Sequence, residues 1–143
     1  MNLKQQIQED IRNAQKQKET EKLSVLRLVM DVILKKEKEL QEEVDDQMTV
    51  KLVMSAVKRG QDSIEQFRAG SRNDLAEKEE RELEILKTYL PEQMSEEEIR
   101  AIVQKVIDDG ADNIGMVMKG VMPQVQGKAD GKLVTDIVKE LLE

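Results

Sequence analysis

With 143 residues, 38% of them hydrophobic and 37% charged, the chain can build one domain or two small helical lobes around an economical core. Cysteine and histidine are both absent, which excludes disulfides, thiolate nucleophiles and any Ser-His or Cys-His catalytic arrangement, and removes the commonest general base and metal ligand. The formal net charge of −7 favours solubility and argues against a nonspecific nucleic-acid coat.

Phe67 and Tyr89 are the only rings, so the core must come from Leu, Ile, Val and the eight Met, which pack well between helices. Hairpin signals between alternating segments are missing, and the expected fold class is all-α. The N-terminus has no apolar leader core, and no apolar run reaches the ~20 residues of a membrane span, so a cytoplasmic protein is expected.

The first helix is predicted over roughly Leu3 to Lys18, with Asn2 as cap and Leu3, Ile7, Ile11 and Ala14 on one face. Thr20 is the expected cap of a second helix that is apolar nearly all round, with Leu23, Leu26, Met30, Ile33 and Leu34 on one side and Val25, Leu28, Val29 and Val32 on the other. Such a pattern predicts a helix buried between neighbours on both sides, whose polar tail from Lys35 to Glu43 runs out into solvent. A third helix starts near Thr49, weakened at Gly60 by ~1 kcal/mol relative to Ala, and stops at Gly70 with Ser71 as the next cap. The fourth carries Leu75, Leu83, Ile85, Leu86, Tyr89 and Leu90, with a charged, solvated face from Glu77 to Glu84.

Pro91 ends that helix and opens the boundary Pro91-Glu92-Gln93-Met94, dividing residues 1–91 from residues 94–143. Ser95-Glu96-Glu97-Glu98 is a capping box for a fifth helix, which Gly110 closes. Asn113 caps a sixth, with Ile114, Val117, Met118, Val121 and Val125 facing inward and a kink or end at Pro123. The last helix, carrying Leu133, Val134, Ile137, Val138, Leu141 and Leu142, follows the loop Gly127-Lys128-Ala129-Asp130-Gly131. The expected architecture is four helices, then a three-helix C-terminal lobe.

Several of these segments form a recognisable set. Gly115-Met116-Val117-Met118-Lys119, Val121-Met122-Pro123 and Gly127-Lys128-Ala129-Asp130-Gly131, with Lys22-Leu23-Ser24-Val25-Leu26-Arg27 and Tyr89-Leu90-Pro91-Glu92-Gln93 upstream, resemble the YqeY-like family. The resemblance covers nearly the whole chain. The last third is also similar to the tail domain of the B subunit of the tRNA-dependent amidotransferase. That resemblance implies two helical lobes and a C-terminal domain whose relative contacts tRNA; it does not imply the amidotransferase chemistry, which belongs to other domains and subunits. One departure is visible: where the family pattern reads Asp-Met-Gly-Lys-Val-Met, this chain reads Asn113-Ile114-Gly115-Met116-Val117-Met118. If that family Lys touches RNA backbone, this chain binds more weakly or through Lys119.

Physically, Lys119, Lys128 and Lys132 stand against Asp130 alone in the stretch from Ile114 to Lys132. Gly115 and Gly127 allow close backbone approach, and helix N-termini receive phosphate. The candidate nucleic-acid-binding residues are therefore Lys119, Lys128, Lys132, Gly115, Gly127 and Arg27, the last embedded between Leu26 and Leu28. The competing reading makes the glycine loop a plain helix connection, with Asp130 capping the final helix. The other basic residues of the first two helices, from Lys4 to Lys38, and the pairs Asp45-Asp46, Glu79-Glu80 and Asp108-Asp109 read as solvated faces. No catalytic residue, cofactor site or metal site is assigned.

Three functions follow in order. The first is an accessory module binding tRNA or another structured RNA by shape and backbone, since two aromatics give little base stacking. The second is a protein-interaction module using the tail from Lys35 to Glu43 and a Met-rich surface of Met116, Met118 and Met122. The third is a glutamine-dependent carbon–nitrogen ligase, for which no ATP-binding element or glutaminase nucleophile is found. No membrane partner is expected.

Overall fold

The computed structural model describes all 143 residues, as seven α-helices and no strand. They divide into two compact units, Met1–Leu90 and Pro91–Glu143.

In the first unit, α1 (Leu3–Lys16) begins at Asn2, whose side chain accepts from the Gln5 amide while the Gln5 side chain accepts from the Asn2 amide. Ile7 and Ala14 are its buried residues. Lys18 turns the chain with a φ of +57° into α2 (Thr20–Leu40), which lacks a side-chain cap because Thr20 is already helical and Glu19 holds the cap position. Then α3 (Asp46–Ala69) and α4 (Asn73–Lys87) form a hairpin. Val25, Leu26, Val29, Met30 and Ile33 of α2 meet Ile7, Val53, Val57, Leu83, Leu86 and Tyr89 in the core.

Several sequence expectations need correction in this unit. First, α2 is buried on one side only: Leu28 is 64% exposed and Leu34 is also exposed, because α1, α3 and α4 cover the face of Val25, Val29 and Ile33 and leave the opposite one open. Second, the tail of α2 is exposed as expected except at Lys36 and Glu37. Glu37 pairs with Lys4 at 2.7 Å and accepts the Val44 amide at 3.0 Å, and these two donors hold its carboxyl below the usual range. Third, the left-handed residue after α3 is Ser71, with φ +59°, while Gly70 keeps φ −89°. The Arg72 amide reaches the Phe67 carbonyl and the Ser71 amide that of Arg68, a Schellman closure built on serine. Asp45, four residues before the expected start at Thr49, caps α3 through the Met48 amide.

Tyr89 closes this core. Its hydroxyl donates to Asp10 Oδ2 at 2.5 Å, and burial followed by the Asp10 carboxylate raises its ionisation well above the ordinary phenol range. A raised folded pKa contributes stability that is complete below the unfolded pKa, about 10, and is lost as pH rises through the folded value. Wild type should therefore exceed Tyr89→Phe by about 1 kcal/mol at neutral pH. That advantage should shrink as urea midpoints are measured from pH 9 upward past about 10. An advantage that stays constant through strong alkali would refute this assignment.

In the second unit, α5 (Glu96–Asp108), α6 (Ile114–Val125) and α7 (Gly131–Leu142) enclose Ile99, Val103, Val117, Val121, Val125, Val134, Ile137 and Val138. Ser95 accepts the Glu98 amide at 3.2 Å, the forward half of the expected capping box. Gly110, with φ +118°, ends the α5 turn. Pro123 neither ends nor breaks α6, which continues to Val125. Gly120 is the close approach in this unit: a Cβ there would lie 2.8 Å from Val106 Cγ1 of α5.

Candidate nucleic-acid interface

The glycine loop is a built piece of structure. Val125 O accepts the amides of Lys128 and Ala129, and Gly127 adopts φ +78°. Its carbonyls then face the start of the same unit: the Met94 amide donates to Lys128 O at 2.8 Å, and Gln93 Nε2 donates to Gly127 O at 3.0 Å and to Pro91 O at 2.8 Å. Two segments that the sequence presents 34 residues apart are thus hydrogen-bonded partners. Asp130 caps α7 through the Lys132 amide at 3.2 Å, which is the plain-connection role expected for it. The loop is therefore structural in its backbone, while the Lys128 side chain faces solvent and Ala129 packs against the core.

Lys119 on α6, Lys128 in the loop and Lys132 in the first turn of α7 are all exposed and make no ion pair. Arg100 differs: it is held by Glu96 at 2.9 Å and Glu140 at 2.8 Å, and these carboxylates raise its pKa further. Gly115 and Gly131 stand in the first turns of α6 and α7. A Cβ at Gly131 would meet nothing within 4 Å and one at Gly115 only Asn113 Oδ1 at 3.4 Å, so packing does not require glycine at either position. Small residues there leave the end amides open, the Met116 and Lys132 amides excepted, because Asn113 Oδ1 accepts the first at 2.9 Å and Asp130 Oδ1 the second at 3.2 Å.

Arg27 lies in the other unit, exposed on α2 beside a shallow groove lined by Thr20, Leu23, Ser24, Leu28 and Asp31. It makes no ion pair. Neither does the Met-rich surface form as expected: Met118 and Met122 pack against the second core, and the exposed apolar side chains at the start of α6 are Met116, at 51%, and Ile114, at 44%. Ile114, expected to face inward, is turned out because Val117, Val121 and Val125 form the buried stripe. Four of the six paired acids have local work. Asp45 caps α3, Asp46 accepts the Leu3 amide at 2.8 Å, Glu80 pairs with Arg68, and Asp108 accepts from Gln104.

A family model described as "Yqey-like protein" matches residues 4–142. Among curated proteins, the chain is 30% identical over 142 residues to "Altered inheritance of mitochondria protein 41, mitochondrial" of Pyrenophora tritici-repentis, covering 95% of this chain and 78% of that protein. Proteins of the same name from Vanderwaltozyma polyspora, 31% identical with coverages of 83% and 66%, and from Lachancea thermotolerans, 30% identical with coverages of 86% and 68%, are similar to it as well. These names correct the cytoplasmic expectation, since the relatives are named as mitochondrial proteins. The missing apolar leader core bore only on secretion, because mitochondrial leaders are amphipathic and have no such core. No helix is long and apolar enough to cross a membrane. The chain belongs to the YqeY-like family.

Proposed function

We propose that this YqeY-like protein is an accessory RNA-binding module that uses its C-terminal unit, with tRNA the first RNA to test. The observation that carries this reading is the set of exposed lysines Lys119, Lys128 and Lys132 around α6 and the start of α7, none in an ion pair, in a stretch from Ile114 to Lys132 whose one acid is Asp130. Lysines without carboxylate partners retain their full attraction for phosphate, and the open amides of the first turns add a weaker pull. The fixed backbone of the loop holds Lys128 and Lys132 in place, which lowers the entropy lost on binding. The module would recognise shape and phosphate spacing, with no ring available for stacking in this unit.

The test is binding of bulk cellular tRNA against duplex DNA across a salt series. We expect tRNA to be preferred and affinity to fall steeply with salt. The triple change Lys119→Glu, Lys128→Glu and Lys132→Glu should weaken binding at least about tenfold and flatten the salt slope by about one for each phosphate no longer neutralised. No binding at low salt, or binding untouched by the triple change, refutes the reading. A protein-interaction module is the second reading, favoured by the exposed Ile114 and Met116. Replacing both by polar residues would leave tRNA affinity intact if they serve a protein partner.

A further inference from the structure

The first unit carries a groove that the RNA reading does not use. Its floor is Val25 and Val29 of α2 with Leu83 and Leu86 of α4, and its walls are Leu28 and Val32 of α2, Ala56, Arg59 and Gly60 of α3, and Glu79 and Glu82 of α4. Leu28 and Val32 are one helical turn apart, as are Ala56 and Gly60, so two short apolar rows face the same space. Gly60 has no side chain to fill the groove from the α3 side, and Leu83 lies against it. At 64% exposure, Leu28 leaves more of itself in water than any other large apolar side chain except Met1. The space, about 290 Å³, is below the range of roughly 300–1,000 Å³ typical of small-molecule pockets and suits a few side chains of another helix.

The charge on the walls says what that helix carries. Glu79 and Glu82 stand one turn apart on α4, and burial followed by the charge of Glu79 raises the Glu82 carboxyl above its ordinary range. Neither is in a salt bridge, and Lys78 is the only cation that offsets Glu82 appreciably, against the further negative charge of Glu21. Two carboxylates held side by side without a partner repel one another, and an incoming ammonium or guanidinium relieves that repulsion. Arg59 stands on the α3 wall without an ion pair, so the two walls differ in sign and fix which way round an occupant lies. A second copy of this chain, at −7, is repelled by the first, which favours a different protein.

We propose that the groove between α2, α3 and α4 receives a short amphipathic helix of a protein partner, apolar toward Leu28, Val32 and Ala56 and carrying Lys or Arg toward Glu79 and Glu82. The test uses the full chain, labelled for amide NMR, and two synthetic helical peptides. One has Leu at positions i, i+3, i+4 and i+7 with Lys beside them; the other has Glu in place of every Lys. The Lys peptide should shift the resonances of Leu28, Val32, Ala56 and Gly60 and bind at least about tenfold more tightly than the Glu peptide. The double variant Glu79→Gln and Glu82→Gln should erase that preference, and Leu28→Asp should abolish binding of both peptides. The two Gln changes are nearly isosteric and half-exposed, so they decide the matter even if Leu28→Asp perturbs folding. Equal affinity for the two peptides overturns the proposal. So do shifts confined to other surfaces, no shift at millimolar peptide, or binding only where light scattering shows self-association.

Discussion

Truncating Ile99 to alanine is expected to cost the C-terminal unit about 2–5 kcal/mol, a large share of what a unit of this size can hold. Ile99 is completely buried on α5 and packs in the cluster of Val103, Val117, Val121, Val125, Val134, Ile137 and Val138. That core contains no ring and its members are β-branched, with few rotamers by which to collapse into a void. The removed methylenes therefore leave most of their volume behind as cavity. Hydrogen exchange is the measurement: amides of α5, α6 and α7 should lose protection together while those of α2 and α3 hold theirs. Ile114→Ala is the control, since Ile114 is 44% exposed and its loss should stay within about 0.5 kcal/mol. A cost below about 1 kcal/mol for Ile99→Ala, or equal costs at the two positions, would mean that the buried stripe of this unit has been wrongly assigned.

That contrast also marks how far the sequence could be read. Helix periodicity identifies all seven helices, because each has an apolar stripe at spacings of three and four and most have a polar cap, as at Asn2, Ser95, Asn113 and Asp130. Periodicity does not say how much of an apolar helix its neighbours cover. Leu28 and Leu34 on α2, and Ile114 on α6, read as interior for that reason and stand in solvent. The left-handed turn after α3 fell to Ser71 instead of Gly70 because the hydrogen-bond closure, and not the residue's ease of adopting positive φ, sets where the helix stops.

The candidate site was legible in part. Charge counting along the chain finds Lys119, Lys128 and Lys132, and the structure leaves all three exposed and unpaired. It could not find that Gln93 and Met94 bind the carbonyls of Gly127 and Lys128, since no local pattern links segments so far apart. Nor does a sequence pattern show that Arg100 is held by Glu140 on another helix, which removes it from any phosphate-binding set. The groove acids were hidden in a run of Glu and Lys that reads as uniformly solvated, where only the packing of α4 on α2 and α3 separates Glu79 and Glu82 from their neighbours.

Gly60 gives the sharpest contrast between the two readings, and a prediction with opposite signs. Read from sequence, it is a weak point of α3, and helix propensity alone makes Ala or Val an improvement of up to ~1 kcal/mol. In the structure it is buried, and a Cβ would overlap Leu83 Cδ2, stand 3.1 Å from Leu83 Cγ and 3.2 Å from Glu79 Oε1. Leu83 is itself 4% exposed and packed in the first core, so it has little room to withdraw. Gly60→Val should therefore destabilise the first unit, by about 1–3 kcal/mol of overpacking. Leu83→Ala alone should cost about 2–5 kcal/mol through its cavity. Together they should cost less than the sum by at least about 1 kcal/mol, because the added valine then occupies part of the space the leucine vacates. Urea midpoints for the wild type, the two single variants and the double variant complete the cycle. Strict additivity, or a stabilising Gly60→Val, would show that α3 and α4 do not need glycine where they meet, and the close approach that shapes this unit would have to be explained another way.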